Sequence, residues 1–155
     1  MSTQTKSANL LVCHKCGAVN RVPVGRNLSE GTCGKCGAAL ATSVPIDLDG
    51  NMFTRLRARD TGAYVVDAWA PWCGPCRMMA PAFEAAATEM SDRIRFFKLN
   101  IDDNQQVAAA LGIRSVPTLI AFGNGVLVAQ QAGALQGTAL GQWIRYSFES
   151  KGIKL

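Results

Sequence analysis

Three Cys-x-x-Cys pairs contain all six cysteines of this 155-residue chain: Cys13/Cys16, Cys33/Cys36 and Cys73/Cys76. This spacing suits a metal clamp as well as a redox dithiol. The first nine residues are polar and no apolar export segment follows them, so we expect a cytoplasmic protein. In a reducing compartment, Cys-x-x-Cys is more often metal-binding or catalytic than a structural disulfide. The residues next to each pair therefore have to decide whether it binds a metal or carries out redox chemistry.

The first two pairs have the spacing of a four-cysteine metal site, Cys13-x2-Cys16-x16-Cys33-x2-Cys36. Each pair is followed by glycine, which tolerates the positive φ that ends a metal-binding knuckle. Residues 10–41 contain no Phe, Trp, Tyr or Ile, so this segment needs a metal or disulfides to fold. We predict one zinc ion on four sulfurs and no bound organic cofactor. Iron in a rubredoxin-like site and redox-active disulfides are the alternatives.

His14 lies between the first two cysteines, and imidazole is also a zinc ligand. Four sulfurs already complete a tetrahedral shell, so we predict that His14 is an exposed loop residue.

The net charge of +5 comes mostly from residues 1–43, but no basic run exceeds two residues and no aromatic lies among those lysines and arginines. This pattern argues against nucleic-acid binding. No stretch approaches the roughly 20 apolar residues of a membrane-spanning helix, so we predict no membrane association.

Composition divides the chain into a disordered tail (1–9), a metal-binding head (10–42) and a larger domain (43–155). Beyond residue 44, strand-like and helix-like patterns alternate, with a boundary and entry strand in residues 42–50. The predicted strands are 63–70, 93–101 and a hairpin over 117–133. The predicted helices are 73–90, 104–112 with an asparagine cap, and 134–151. The predicted fold is α/β, a mixed sheet of about five strands with helices on both faces.

The third cysteine pair follows a buried-strand pattern directly and opens the helix predicted for residues 73–90. Cys73 then lies at the helix N-terminus, where the macrodipole and free N–H groups favour a thiolate. Cys76 faces the same side of the helix, within reach of a disulfide. In a metal knuckle the second intervening residue donates its N–H to the first sulfur. Pro75 has no N–H and suits a first helical turn, whereas Lys35 keeps this donor, so the third pair is assigned to redox chemistry.

Residues 44–155 resemble the thioredoxin family. The resemblance is carried by the motif Trp72-Cys-Gly-Pro-Cys76 and by the segments VVDAWAPWCGPC, KLNIDDN and GIRSVPTLIAF. With its four-cysteine head, the whole chain is similar to the zinc-headed bacterial branch of that family. The resemblance implies a thioredoxin fold with a zinc-ribbon-like head, and the activity of a protein-disulfide reductase. It also implies a monomer that receives electrons from an NADPH-dependent thioredoxin reductase.

The resemblance assigns roles in the exchange reaction to four residues. Cys73 is the nucleophile that attacks a substrate disulfide, and Cys76 resolves the mixed disulfide. Asp67 matches the family's buried carboxylate, whose raised pKa suits proton exchange with Cys76. Lys98 matches a lysine that modulates this carboxylate, and an ordinary strand lysine is the alternative.

The resemblance also implies a docking surface for disulfide-containing proteins. Pro117 matches the family's cis-proline, which places the backbone of Val116 to pair with an extended substrate segment. Trp72 provides apolar surface beside the cysteines. Gly133 matches a family glycine at this surface, and a plain turn glycine is the alternative. The other two predicted substrate-binding residues are Gly74 and Pro75, which lie between the active cysteines.

We predict a general protein-disulfide reductase, because the Gly-Pro dipeptide favours a reducing potential near the roughly −270 mV typical of thioredoxin. A hypothesis from another class is a zinc-dependent redox sensor or binding module. In that case oxidation of the head releases the metal and changes the choice of partner. A disulfide isomerase is the third hypothesis.

Overall fold

In residues 7–155, the strands form two separate sheets, one of two strands and one of five. The structure, a computed structural model, describes residues 7–155. Its strands are β1 (Ala8–Val12), β2 (Val19–Pro23), β3 (Ile46–Leu48), β4 (Tyr64–Trp69), β5 (Arg95–Asn100), β6 (Thr118–Gly123) and β7 (Val126–Ala132). Its α-helices are α1 (Gly50–Arg59), α2 (Gly74–Met90), α3 (Gln105–Ala110) and α4 (Thr138–Glu149), with a 3-10 turn over Leu28–Glu30.

The larger sheet has the strand order β3-β5-β4-β6-β7. Strands β3 and β4 both run parallel to β5, while β6 is antiparallel to β4 and to β7. Five of the six residues of β4 and all six of β6 are buried, as expected for central strands that are covered on both faces. The predicted mixed sheet of about five strands is therefore confirmed.

Helices cover both faces of this sheet, as predicted. Helices α2 and α4 bury one face around Phe83 and Phe148. Helices α1 and α3 cover the other face, where Phe53 and Leu56 of α1 join the second core cluster. Helix α1 was not predicted, although its first-turn signal is present in the sequence. The side chain of Asp49 accepts a hydrogen bond from the N–H of Met52 at 2.7 Å and caps the helix.

One predicted helix start and one predicted capping bond differ from the structure. Helix α4 begins at Thr138 rather than at residue 134, because Gly137 with φ of +59° interrupts the helical backbone. Asn104 does occupy the N-cap position of α3, but its side chain makes no capping bond. Instead it accepts from the N–H of Gly50 at 2.7 Å and donates to the carbonyl of Asn100 at 2.9 Å. The side chain of Asn104 therefore joins the start of α1 to the end of β5 rather than capping its own helix.

The head contains an antiparallel pairing of β1 and β2 that was not predicted. Residues 1–6 of the predicted tail lie outside the described residues, but Ala8 and Asn9 belong to β1 and not to a tail. A small core of Leu11, Val22 and Leu40 packs with two cysteines. Among residues 7–155, no helix is long and apolar enough to cross a membrane.

Candidate redox site and candidate metal site

The junction between β4 and α2 positions the third cysteine pair. Cys73 is the N-cap residue of α2, and its sulfur accepts a hydrogen bond from the N–H of Cys76 at 3.1 Å. Pro75 occupies the first turn, where its missing N–H removes no helical bond. Cys73 and Cys76 form a disulfide with their Cα atoms 5.3 Å apart. The predicted redox pair is therefore a formed disulfide at a helix N-terminus.

A second segment approaches this disulfide from β6. The carbonyl oxygen of Val116 lies 3.6 Å from the sulfur of Cys73, and the Val116–Pro117 peptide bond is cis. Both sulfurs are nearly covered, since Cys73 is 3% and Cys76 is 4% exposed. The N–H of Gly133 donates to the carbonyl of Pro117 at 2.9 Å, so the predicted docking glycine belongs to the same loop cluster.

Two exposed apolar side chains lie close in sequence to the covered disulfide. Trp72 is 67% exposed, and its indole N–H donates to a carboxylate oxygen of Asp102 at 3.3 Å. Met78, in the second turn of α2, is 64% exposed. The guanidinium of Arg77 donates to the carbonyl of Pro71 at 2.8 Å and ties the loop to the helix. No signal in the sequence assigns Met78, Arg77 or Asp102 to this surface. The bonds of Arg77 to Pro71 and of Trp72 to Asp102 depend on how the loop before α2 folds.

Asp67 is the one charged residue of β4, and it is 1% exposed. Burial raises the pKa of its carboxyl to about 7, although the positive charge of Lys98 lowers it somewhat. Lys98 is its register partner on β5 and places its ammonium 4.6 Å from the ring centre of Trp69. Among the described residues, one carboxyl oxygen of Asp67 has no hydrogen-bond partner. A buried carboxyl that titrates near neutral pH is chemically suited to exchange protons.

The four head cysteines come together in a second site. The sulfurs of Cys13, Cys16, Cys33 and Cys36 all lie within 4.8 Å of one another. Two of the sulfur pairs, Cys13–Cys36 and Cys16–Cys33, are 3.6 Å apart. Four sulfurs in a tetrahedron at about 2.3 Å from zinc lie roughly 3.8 Å apart. The residues therefore fit one tetrahedral thiolate-bound metal ion.

Matching backbone knuckles present these sulfurs. The N–H of Lys15 donates to the sulfur of Cys13, and the N–H of Lys35 donates to the sulfur of Cys33, both at 3.4 Å. The glycine after each pair has φ close to +80°, which closes the turn as predicted. His14 is not part of the cluster. The prediction that it is exposed is wrong, because it is half-buried and its Nδ1 has no hydrogen-bond partner among residues 7–155.

Comparisons with known proteins agree with both sites. The thioredoxin family model matches residues 45–146, and the model described as thioredoxin 2, N-terminal, matches residues 12–38. Thioredoxin C-3 of Corynebacterium nephridii is 37% identical over 135 residues, which are 87% of this chain and 92% of that protein. A thioredoxin of Haemophilus influenzae is 48% identical over 80 residues, 52% of this chain and 75% of that protein.

Solved structures give the same result for the fold. The thioredoxin of Malassezia sympodialis superimposes with a TM-score of 0.60 at 31% identity, covering 69% of this chain and 93% of that chain. A mutant thioredoxin of Halobacterium salinarum superimposes with a TM-score of 0.61, also at 31% identity, with the same coverage.

The buried carboxyl of Asp67 generates a prediction for the pH dependence of stability. Its pKa is about 7 in the folded chain against an ordinary value of 3.8, so the folded state binds more protons than the unfolded state between these values. Stability is therefore lost as pH rises from about 4 to about 7. We expect Asp67→Asn to stabilise the oxidised protein at pH 8 by up to about 4 kcal/mol and to have little effect at pH 4. Denaturant unfolding at the two pH values measures this difference.

The matched control is Asp103→Asn, which neutralises an exposed carboxyl. We expect its effect to be small and equal at pH 4 and pH 8. An Asp67→Asn effect that is the same at both pH values would contradict the prediction.

Proposed function

The chain belongs to the thioredoxin family, and from that premise we propose that it is a general reductase of protein disulfides that carries a structural zinc ion in its head. Members of the family exchange dithiols with disulfides, and the Cys73–Cys76 disulfide makes this chain a thiol–disulfide oxidoreductase. The observation that carries the proposal is this disulfide at the N-terminus of α2, beside the carbonyl of Val116. We further propose that residues 10–42 form the head and residues 43–155 the thioredoxin domain.

The exchange reaction transfers two electrons from the dithiol to the substrate disulfide. In the reduced protein, the thiolate of Cys73 is stabilised by the N–H of Cys76 and by the helix dipole. It attacks one sulfur of the substrate, forms a mixed disulfide and expels the other sulfur as a thiolate. The thiolate of Cys76 then attacks Cys73, which re-forms the Cys73–Cys76 bond and releases the second substrate thiol. Asp67 accepts the proton that Cys76 loses in this step, because its pKa lies near 7, and Lys98 adjusts that pKa by its charge.

The proposed docking surface combines a backbone edge with an apolar rim. An extended substrate segment pairs with the backbone of Val116, next to Pro117, and packs on Trp72. Gly74 supports this role, because a Cβ atom there meets no atom within 4 Å, so its lack of a side chain is not required for internal packing and leaves room for a partner's backbone. Gly133 has the same open space, but its φ of +95° by itself favours glycine, so its docking role rests on the family resemblance. Pro75 completes the rim between the two cysteines.

The surrounding biology is proposed from the family. An NADPH-dependent thioredoxin reductase returns electrons to the Cys73–Cys76 disulfide, and the protein acts as a monomer in the cytoplasm. Its substrates are disulfide-containing proteins, without a nucleic acid or a membrane as partner.

The two active cysteines are separable by substitution. We expect Cys73→Ser to reduce the rate of insulin disulfide reduction to the uncatalysed level, because the attacking sulfur is lost. We expect Cys76→Ser to accumulate a covalent mixed disulfide with the substrate, since attack still occurs but resolution does not. Turbidity assays and non-reducing gels measure these outcomes. Full activity of Cys73→Ser would contradict the proposed nucleophile.

The head is proposed to hold one zinc ion on Cys13, Cys16, Cys33 and Cys36. Zinc supplies the cross-link that a segment with so small a core needs for stability. The fit rests on four sulfurs that lie close together and on the two N–H donors to Cys13 and Cys33.

Metal analysis combined with thiol titration tests this site. We expect one zinc per chain and two freely titrating thiols in the reduced protein, rising to six after denaturation with a chelator. Cys36→Ser should lower the zinc content, whereas the control His14→Ala should keep it, because His14 is outside the four-sulfur cluster. Iron in place of zinc, or six free thiols in the native protein, would overturn the assignment.

A zinc-dependent redox sensor is the second candidate function. It is favoured by the exposure of Cys16 and Cys36, because oxidants reach exposed metal thiolates most readily. Zinc content and insulin reduction are measured before and after mild peroxide treatment. Unchanged values at oxidant levels found in cells would exclude the sensor and leave the reductase in place.

A further inference from the structure

A buried ion pair lies where the head meets the thioredoxin domain. The guanidinium of Arg95 makes two hydrogen bonds to the carboxylate of Asp60, at 2.5 and 2.7 Å. Arg95 is 1% and Asp60 is 2% exposed. The other ion pairs in residues 7–155, Arg93–Asp92 and Arg145–Glu89, are on the surface. The Asp60–Arg95 contact is named here the junction ion pair.

The head completes the hydrogen bonding of this pair. The N–H of Val12, in β1, donates to the carboxylate oxygen of Asp60 that also contacts Arg95, at 2.8 Å. The other carboxylate oxygen accepts from Arg95 and from the N–H of Gly62 at 2.9 Å. Next to these bonds, Leu10 and Thr61 exchange two hydrogen bonds of 2.8 Å. The outer edge of β1 is thereby joined to the loop that precedes β4.

Close packing brings the head onto the guanidinium. A Cβ atom at Gly62 would lie 2.6 Å from Nη2 of Arg95 and 3.1 Å from Cδ1 of Leu11. The φ of Gly62 is not in the left-handed region, so the backbone conformation does not require glycine here. Glycine is needed because a side chain has no space. Leu11 is 1% exposed and belongs to the core of the head. The head therefore forms part of the wall that keeps water from the ion pair.

Arg95 depends on Asp60 for its charge compensation. Its Nε has no hydrogen-bond partner among the described residues, and its remaining neighbours include the rings of Tyr64 and Phe97, at 5.3 and 6.0 Å. A buried pair is favourable only while its geometry and its exclusion of water are maintained. Undocking of β1 would remove the Val12 donor and admit water to both charges. The docked head and the intact ion pair consequently stabilise each other.

We propose that the junction ion pair sets the metal affinity of the head, although neither Asp60 nor Arg95 is a metal ligand. Cys13 follows Val12 directly in the chain, so docking of β1 also fixes the position of the first metal-binding cysteine. If docking orders the metal-binding form, the apparent affinity falls with the fraction of docked molecules. This inference rests on the proposed zinc site and adds a residue pair that controls it from the other domain.

The test compares zinc affinities by competition with a chromophoric chelator at pH 7. Asp60→Asn keeps the size of the side chain and removes its charge, and Arg95→Met removes the other partner. We expect both variants to bind zinc about 10- to 100-fold more weakly than the wild type, while far-UV circular dichroism and insulin reduction show a folded thioredoxin domain. The matched control, Glu89→Gln, breaks the exposed pair with Arg145 and should bind zinc within about twofold of the wild type.

Two milder variants decide the result if the charge variants do not fold. Thr61→Val removes the hydroxyl that accepts from the N–H of Leu10 and donates to the side-chain oxygen of Asn9, both in β1. Gly62→Ala keeps every hydrogen-bonding group and pushes a methyl group against Arg95 and Leu11. We expect each to weaken zinc binding by at least fivefold. The variants that bind zinc more weakly should also show a smaller rise in Tm when zinc is added, because coupling between zinc binding and docking of β1 is reciprocal.

Two negative outcomes have different meanings. If the wild type binds zinc and all folded junction variants bind it within twofold of the wild type, the coupling is wrong and the zinc site stands. If the wild type binds no zinc, the proposed metal site fails and this inference fails with it.

Discussion

Burial of β4 is the constraint on which the rest of the structure depends. This strand is bonded on one edge to β5 and on the other to β6, and helices cover both of its faces. A strand in this position has to be apolar, and Asp67 is its one charged residue. The same burial that stabilises the sheet shifts the pKa of Asp67 toward neutrality. Because only Ala70, Pro71 and Trp72 separate the end of β4 from Cys73, this buried strand determines where the exchange chemistry occurs.

Local sequence patterns predicted the elements whose signals are contained in a few residues. Strands β4 and β6 are nearly continuous apolar runs, and α2 opens at a cysteine with proline in its first turn. The two Cys-x-x-Cys roles were separable because Pro75 lacks the N–H that Lys35 gives to Cys33. These features depend on backbone chemistry within one turn, and the structure confirms the disulfide of the third pair and the close approach of the other four sulfurs.

Features that depend on distant contacts could not be predicted in this way. Asn104 has the residue type of a helix cap, but its side chain bonds to Gly50, which is 54 positions away in the chain. Asp60 and Arg95 are 35 positions apart, and neither has a neighbour that indicates a buried ion pair. Strand β1 is stabilised at its outer edge by Asp60 and Thr61, so the sequence alone assigned its first two residues, Ala8 and Asn9, to a tail. In each case a contact with a residue far away in the chain, rather than the local sequence, determines the structure.

The head is attached to the larger domain at a distance from the active disulfide. Strand β1 contacts the loop before β4, whereas the active disulfide follows β4, whose six residues span roughly 20 Å. The attachment of the head and the reactive sulfurs are therefore at opposite poles of the central strand. Strand β1 supports the fold at the loop before β4 and does not cover the disulfide. A substrate protein bound at the proposed surface of Trp72 and Val116 therefore does not have to displace β1.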